Sequence, residues 1–472
     1  MRSVAVGEGV GKGAGAVAAR AALEAEVAEM VRETLDELFR RSEAEEFDLD
    51  AIEVAVQQGL RPIGGRMVEQ AVVQRVHSSE ANPPECPGCG RRMQRELRQR
   101  DLVGLVGQYR WNRGYYRCRR CGTHCIPADT VLGIGPGALS PALSRIAATG
   151  AVQVAFGSAA ALINEALGTH LAEAEVYRTA EALGAVAEAE SSAAATTNTP
   201  ATPASDTLLI GADGTTSFTD GAWHEVKVGV VAPLGPTRRT DPKTGRTYLR
   251  VGEKAYCALV GSADDFFPRL HALARDAGLG HPTLRTLVTI GDGGPWIWKR
   301  MAGLQCPGVR RVEILDYIHA SQHVWDLAKE LFDPLSLDAN AWAAPLCDGL
   351  KEKGPAPLLA ALQRLHPRSA AAQAAVAKTT AYLTTHATAG RMDYPGFAAS
   401  GLPIASGLVE AGCNSVVCQR TKGAGKRWRR LGAQTILSLR CLRLSPARWA
   451  EFFRRHPGPR RPPVATLRQE AA

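Results

Sequence analysis

Three acidic residues stand where their side chains could bind metal ions together. Asp213 and Asp292 each follow an apolar run that predicts a buried strand. An acid at the carboxyl end of such a strand lies at the rim of a sheet, where the ligand sites of α/β proteins lie. Glu410 follows Ser406, a candidate N-cap, and is therefore expected in the first turns of a helix.

Three carboxylates that converge from different elements suit phosphodiester chemistry. This chemistry needs an activated nucleophile, a stabilised leaving oxygen and charge neutralisation at phosphorus, and two metal ions about 4 Å apart can provide all three. Mg²⁺ or Mn²⁺ would suit carboxylate ligands. Asp213, Asp292 and Glu410 are therefore candidate catalytic residues and metal ligands. Each acid alone is more simply a turn, cap or surface residue, and only the combination supports metal binding.

Four cysteines form two C-x-x-C pairs separated by 28 residues. They are Cys86, Cys89, Cys118 and Cys121. Four thiolates provide the tetrahedral ligand set of a structural Zn²⁺ site, and the interval can hold a β-hairpin. Two unrelated pairs or a redox motif are the alternatives, although a redox motif does not explain why there are two pairs. His124 and Cys125 are spare donors.

Basic residues are concentrated in two parts of the sequence. Arginines around the cysteines are interleaved with Trp111, Tyr115 and Tyr116, which suits a nucleic-acid surface or, alternatively, a solvated face around a small metal core. The second concentration surrounds Trp428, where phosphate contacts would fix the register of DNA without reading its sequence. Its members are Arg420, Lys422, Lys426, Arg427, Arg429 and Arg430. A solvated charge run is the alternative there.

The apolar pattern predicts how these residues are positioned. From residue 207, three strands, a helix, a strand, a short helix and another strand are predicted in succession, and residues 404–450 have a helical pattern. This order indicates a mixed α/β sheet covered by helices, as in an RNase H-like fold. The helical residues 321–400 would then be an insertion before the last helix.

Eight consecutive segments are expected along the chain. They are a helical N-terminal region (1–79), a zinc-ribbon DNA-binding domain (80–130), a helical domain with a helix-turn-helix outline (131–189), a linker (190–206), the first part of the α/β core (207–320), the helical insertion (321–400), the last helix of the core with the basic segment (401–450) and a disordered tail (451–472). The N-terminal helices could be a scaffold or an oligomerisation surface, and the helix-turn-helix outline is also common in ordinary helical packing.

Charge and cysteine usage narrow the expected partners and compartment. The formal net charge is +9, which favours polyanionic partners. The cysteine number is odd, at 11, and the C-x-x-C pairs favour metal binding in a reducing compartment over a disulfide framework. No apolar run of about 18 residues predicts a membrane span. A cytoplasmic, nucleoid-associated protein is therefore expected.

Six short motifs resemble those of the DDE transposases of bacterial insertion sequences, and the likeness runs from about residue 80 to residue 450. The resemblance is greatest to the ISKra-type family, which is similar in layout to the Mutator-like group. The motifs are Tyr115–Cys121, Asp213–Thr215, Gly291–Trp298, Leu315–His319, Ser406–Glu410 and Arg427–Ala433. Each motif is short, and the specificity lies in the set.

The resemblance implies an RNase H-like core in which Asp213, Asp292 and Glu410 bind the catalytic metal ions. It also implies cleavage and strand transfer of double-stranded DNA at the inverted repeats of an insertion sequence, by a homo-oligomer. Asp316 and His319 match the D-x-x-H motif of Mutator-like enzymes. This motif would support the site or contact DNA, or would only begin a helix. His319 is therefore also a candidate DNA-binding residue.

Two other functions remain open from the sequence. A transposase-derived protein could bind DNA through its zinc and basic surfaces without catalysis. An RNase H-like nuclease or junction resolvase would share the acidic site, but the cysteine pairs and the long helical insertion argue against it.

Overall fold

The computed structural model describes residues 10–43, 47–77, 83–193, 200–332 and 337–458, apart from residues 244, 246 and 305. The chain divides into two compact units, one formed by Met1–Leu183 with Glu451–Ala472 and the other by Gly184–Ala450. None of the helices in the described part of the chain combines the length and hydropathy needed to cross a membrane.

The first unit begins with two long helices that pack against each other. Helix α1 is Val10–Ser42 and helix α2 is Leu49–His77. Residues 62–65, Pro-Ile-Gly-Gly, favour a break in a helix, but α2 continues through them. Close packing explains this, since a Cβ at Gly65 would lie 2.7 Å from the backbone oxygen of Gln108. Tertiary contacts therefore outweigh the helix-breaking tendency of this segment.

A small antiparallel sheet with the four cysteines follows in the first unit. Its strands are β1 (Gln94–Gly104), β2 (Gly107–Arg117) and β3 (His124–Cys125), in that order. The helices after it are α3 (Pro127–Leu132), α4 (Pro141–Gln153), α5 (Phe156–Leu167) and α6 (Glu173–Ala193). Helices α5 and α6 are consecutive, as a helix-turn-helix outline requires, and α6 extends past residue 189, where the helical domain was predicted to end. Helix α6 also includes residues 190–193 of the predicted linker, while residues 194–199 of that linker lie outside the described residues.

The second unit contains a mixed sheet. Its strands are β4 (Thr207–Thr219), β5 (Ala222–Thr240), β6 (Thr247–Val251), β7 (Ala255–Val260), β8 (Thr286–Gly291) and β9 (Arg310–Leu315). The strand order is β6-β5-β4-β8-β9, and β7 also pairs with β5. Strands β4 and β5 are antiparallel, whereas β8 is parallel to both β4 and β9. The mixed α/β sheet predicted from the sequence is confirmed.

Successive residues of β4 pack into different hydrophobic cores, as the alternation of side chains along a strand requires. Leu209 belongs to a core shared with the long helical region after β9. Leu208 and Ile210 belong to a second core with Phe266, which lies on the helix after β7. The sheet is therefore buried on both faces, which explains the nearly continuous apolar runs in its central strands.

Eleven further α-helices follow in the described part of the chain. They are α7 (Ala263–Asp276), α8 (Pro295–Met301), α9 (Tyr317–Leu331), α10 (Asp338–Lys353), α11 (Pro355–Gln363), α12 (Ala370–Thr388), α13 (Tyr394–Ala399), α14 (Gly407–Gly412), α15 (Gln419–Thr421), α16 (Arg430–Arg443) and α17 (Pro446–Arg455). Helices α9–α13 occupy the interval between β9 and α14, where the helical insertion was predicted.

Two boundaries near the C-terminus differ from the sequence prediction. Residues 404–450 do not form one continuous helical segment, because a π-helix, Cys413–Cys418, and a non-helical stretch, residues 422–429, interrupt it. The tail predicted from residue 451 begins inside α17, where Phe452 and Phe453 are buried. Their burial keeps this last stretch helical, and residues 459–472 lie outside the described residues.

Candidate metal site and basic surface

Asp213 and Asp292 follow a pair of neighbouring residues on two parallel strands. The parallel pairing of β4 and β8 ends with Ala212 opposite Gly291. Each aspartate is the next residue along the chain. The two carboxylates therefore lie at the same end of this strand pair. Asp292 comes after the end of β8, as predicted, whereas Asp213 lies inside β4 and pairs with Val228 of β5.

The continuation of β4 beyond Asp213 results from a tight hairpin with β5. Asp220 and Gly221 connect the two strands, with φ angles of 51° and 85°. Positive φ at both central positions is typical of a type I′ turn, for which Asp-Gly is a favoured sequence. The Asp-Gly dipeptide was therefore a usable sequence signal for this longer strand.

The Asp213 carboxylate is held in an environment that opposes its charge. Burial raises its pKa, and the neighbouring Asp292 raises the pKa further, while His319 lowers it. The carboxylate accepts a hydrogen bond from the backbone N–H of Gly214 at 2.6 Å. The thiol of Cys413 lies 3.6 Å from its Oδ2 atom. A cation between the two aspartates would offset the repulsion between them.

Asp292 lies in a loop held by α8 and α12. Its Oδ1 atom accepts a hydrogen bond from the backbone N–H of Gly294 at 2.9 Å, and its backbone oxygen accepts one from Nε1 of Trp298 at 2.7 Å. Tyr382 packs so closely on the loop that a Cβ at Gly293 would lie 2.0 Å from its hydroxyl. The loop therefore has no room for a side chain at this glycine.

Glu410 lies on α14, which packs directly on β4. A Cβ at Gly211 would lie 2.2 Å from Cγ2 of Val409, so the helix approaches the strand where the strand has no side chain. Cys413, three residues after Glu410, contacts the Asp213 carboxylate. Residues three apart are neighbours on a helix surface, so the backbone of Glu410 lies about one turn from this contact.

Ser406 lies at the predicted N-cap position, but its side chain bonds to Asp316 and does not cap the helix. Ser406 is the N-cap residue of α14, but its side chain makes no capping hydrogen bond. Its hydroxyl donates to Oδ2 of Asp316, and its backbone N–H donates to the same atom at 3.0 Å. Asp316 is fully buried and caps α9 by accepting a hydrogen bond from Ile318 at 2.6 Å. It thus joins the start of α9 to the start of the helix that carries Glu410.

His319 faces Glu410 from the first turn of α9. Its Nε2 atom lies 3.9 Å from Oε1 of Glu410, and both side chains are partly exposed. One ligand atom each from Asp316, His319 and Glu410 lie within 4.8 Å of one another. Among the described residues, Glu410 forms such a close metal-ligating group with these two residues, and not with Asp213 and Asp292. The sequence resemblance indicated Asp316 and His319 without predicting this grouping.

The basic segment lies against the β4–β5 hairpin. Its backbone joins β4 through a bridge between Thr219 and Trp428. Nζ of Lys422 donates to the hydroxyl of Thr215 at 2.8 Å, which brings this lysine to the strand of Asp213. The guanidinium of Arg430 donates to the backbone oxygen of Val260, so it is engaged within the fold.

The candidate DNA-binding residues of this segment differ in exposure. Arg427 and Arg429 are exposed, and Lys426 is half-buried. Arg420 is only 3% exposed, and its guanidinium lies 4.7 Å from the centre of the Trp428 ring. Burial lowers its pKa to about 10. Packing against Trp428 thus removes the side chain of Arg420, a predicted DNA-binding residue, from the surface.

The four predicted zinc ligands lie together in the first unit. The Sγ–Sγ distances are 3.3 Å for Cys86–Cys121, 3.5 Å for Cys89–Cys118 and 3.9 Å for Cys89–Cys121. Tetrahedral Zn²⁺ with Zn–S bonds of about 2.3 Å requires edges of about 3.8 Å, so the thiols fit this ion. The two donors that follow, His124 and Cys125, are outside the group. His124 instead stacks on Tyr115, with ring centroids 5.4 Å apart.

The comparisons with known proteins add little to this geometry. No protein-family model matches the chain, and no curated protein sequence matches it. Among solved structures, the chain is similar to the Drosophila P element transposase strand transfer complex, with 11% sequence identity and a TM-score of 0.23. The match covers 67% of this chain and 82% of that chain. A TM-score this low does not establish a common fold.

Proposed function

We propose that the chain is a DDE-type transposase of a bacterial insertion sequence, related to the ISKra-type and Mutator-like enzymes. It would cleave double-stranded DNA at the terminal inverted repeats and join the ends to target DNA, acting as a homo-oligomer. The observation that carries this proposal is the contact of Cys413 with the Asp213 carboxylate. This contact brings the helix of Glu410 to the strand edge shared by Asp213 and Asp292.

Asp213, Asp292 and Glu410 would hold two Mg²⁺ or Mn²⁺ ions. The donor set is hard and anionic, which suits these ions. Burial and the neighbouring Asp292 charge both raise the pKa of Asp213, and this supports the proposal, since a cation would stabilise the charged form. When bound, such ions would activate a water or a 3′-hydroxyl and neutralise charge at the phosphorus atom.

The chain's own residues would orient the site. The hydrogen bond from Gly214 holds the Asp213 carboxylate, and the one from Gly294 holds Asp292. Asp316 fixes the start of the Glu410 helix through Ser406. These contacts would restrict the positions of the ligands before DNA arrives, and such preorganisation lowers the cost of reaching the reactive geometry.

The exposed basic residues next to this site would bind the DNA backbone. Arg427 and Arg429 are exposed on the segment that follows the Glu410 helix, and Lys422 reaches the strand of Asp213. Phosphate contacts of this kind would position DNA without reading its sequence. The strand order β7-β5-β4-β8-β9 and the helices between β9 and α14 support an RNase H-like core with a helical insertion.

A DNA-binding protein without catalysis is the second candidate function. The four-cysteine group supports it, because a zinc ribbon and a basic segment could bind DNA without any metal at the acidic site. The two functions differ in what Asp292→Asn would do. A transposase would keep its DNA affinity and lose cleavage, whereas a binding protein would retain its whole biological effect.

The test is a cleavage and strand-transfer assay with DNA from the two flanks of the gene. Protein with Mg²⁺ or Mn²⁺ is expected to nick at discrete positions near short inverted repeats, and Glu410→Gln is expected to abolish nicking without loss of DNA binding. Glu330→Gln, at an exposed position of α9, is the matched control and should cleave normally. Cleavage by Glu410→Gln at the rate of the unmodified chain would refute the proposed function.

A further inference from the structure

The imidazole of His319 lies beside Glu410 and is accessible as a metal ligand. Its Nε2 atom lies 3.9 Å from the Glu410 carboxylate, beyond hydrogen-bond distance. The side chains of His319 and Glu410 are 38% and 49% exposed, so both can reach a ligand that enters from solvent. The α9 N-cap fixes the first turn on which His319 lies.

Asp316 does not compete for the same ligand, although it belongs to the same close group. Its Oδ2 atom already accepts two hydrogen bonds from Ser406, and its Oδ1 atom accepts one from Ile318. A carboxylate oxygen has about two lone-pair sites, so Oδ2 is fully used. Asp316 is also fully buried, so the solvent-accessible metal-ligating side chains of the group are His319 and Glu410.

The spacing of the two side chains is close to what a six-coordinate divalent cation requires. With metal–ligand bonds of about 2.1 Å, adjacent ligands of an octahedral ion lie about 3.0 Å apart and opposite ligands about 4.2 Å apart. The 3.9 Å between Nε2 of His319 and Oε1 of Glu410 matches neither spacing, but a small movement of these partly exposed side chains would bring both onto one ion. One cation would thus contact His319 together with Glu410.

We propose that His319 supplies an imidazole nitrogen to the divalent cation bound by Glu410, and that this nitrogen makes the site select Mn²⁺ over Mg²⁺. The inference rests on the proposed function, because it concerns the same cation site. Mg²⁺ favours oxygen ligands and exchanges its water reluctantly, whereas imidazole nitrogen suits first-row transition metals. An all-carboxylate site would have a weaker preference for Mn²⁺.

Pulsed electron paramagnetic resonance of bound Mn²⁺ tests the inference directly. The probe is Mn²⁺ added to the full, zinc-loaded chain after removal of any affinity tag. The unmodified chain is expected to show ¹⁴N modulation from a directly bound imidazole. His319→Asn offers an amide oxygen instead and should bind Mn²⁺ without this imidazole modulation. His281→Ala, whose ring contacts Thr283 at 2.8 Å, is the matched control and should keep the modulation.

Affinity gives a second measurement. His319→Ala is expected to weaken Mn²⁺ binding by at least about tenfold, the lower bound for losing a group that supports a metal site. Mg²⁺ binding, measured by competition, should weaken less. Circular dichroism and urea denaturation would verify that each variant is folded.

The outcomes separate this inference from the proposed function. If the unmodified chain binds Mn²⁺ without nitrogen modulation, and Glu410→Gln still weakens binding, the nitrogen ligand is refuted and the carboxylate site stands. The same modulation in His319→Ala would also refute the ligand. If Glu410→Gln and Asp213→Asn both leave Mn²⁺ affinity unchanged, the inference and the proposed function fail together.

Discussion

Replacing Gly211 by alanine is expected to displace the helix that carries Glu410. A Cβ at this position would lie 2.2 Å from Cγ2 of Val409 and 3.1 Å from Cγ1 of Val230. Carbon atoms in favourable contact are about 3.5–4.0 Å apart, so the first pair must separate by roughly 1.5 Å. Val409 is fully buried and β-branched, which leaves its side chain few alternative rotamers. Movement of α14 away from β4 is therefore the expected response.

The magnitude follows from the close packing at this contact. Overpacking a buried site by one methyl group typically costs about 1–3 kcal/mol of unfolding free energy. A displacement of about 1 Å at a catalytic group can lower the reaction rate by about a hundredfold. Urea denaturation would measure the first effect on Gly211→Ala, and metal-dependent cleavage of DNA under single-turnover conditions would measure the second.

A second substitution shows whether Val409 causes the effect. Val409→Ala removes the methyl group that would meet the new Cβ, so the double variant Gly211→Ala/Val409→Ala should regain part of the lost stability and cleavage rate. The expected coupling between two contacting residues is about 0.5–3 kcal/mol. Strict additivity of the two substitutions, or normal cleavage by Gly211→Ala alone, would refute the packing argument.

Three further predictions concern other parts of the molecule. Cys86→Ser should lower the amount of bound zinc, measured by atomic emission, and unfold the β1–β2 hairpin between the cysteine pairs. Cys125→Ser, the control, should keep the zinc. Equal zinc content in the two variants would contradict the four-cysteine site. Asp316→Ala removes the acceptor of two hydrogen bonds donated by Ser406, from its backbone N–H and its hydroxyl. Urea denaturation should therefore show that the free energy of unfolding falls by about 1–3 kcal/mol. An unchanged free energy of unfolding would contradict the proposed link between α9 and α14 through Asp316. Arg427→Ala should reduce the salt dependence of DNA binding, log K against log salt concentration, by about 0.9. Arg420→Ala, at a buried position, should instead lower the free energy of unfolding and leave the salt dependence of DNA binding unchanged. A change in salt dependence for Arg420→Ala but not for Arg427→Ala would show that Arg420, not Arg427, contacts phosphate.

Features encoded by local sequence could be predicted. The apolar run before Asp292 is a strand that ends where expected, because a centrally buried strand needs apolar residues on both faces. The C-x-x-C pairs form one group of four thiols, because each pair lies in one tight turn. The Asp-Gly dipeptide at residues 220–221 also contained the signal for the longer β4 strand, which the prediction based on apolar runs did not use.

Features that depend on distant contacts could not be predicted in the same way. The burial of Arg420 depends on the position of the Trp428 ring, although its place in a basic run predicted exposure. Asp316 and Ser406 are joined across a large separation in sequence, and no spacing rule links them. A π-helix, Cys413–Cys418, follows the Glu410 helix, and its extra residue per turn is not visible in a helical apolar pattern.

Anomalous diffraction from crystals of the DNA-bound chain grown with Mn²⁺ tests the central claim most directly. Metal peaks are expected within coordination distance of carboxylate oxygens from Asp213, Asp292 and Glu410. Two peaks about 4 Å apart would correspond to a two-metal site. A DNA complex in which Glu410 stays more than about 10 Å from both aspartates, with no Mn²⁺ peak between them, would contradict the assignment.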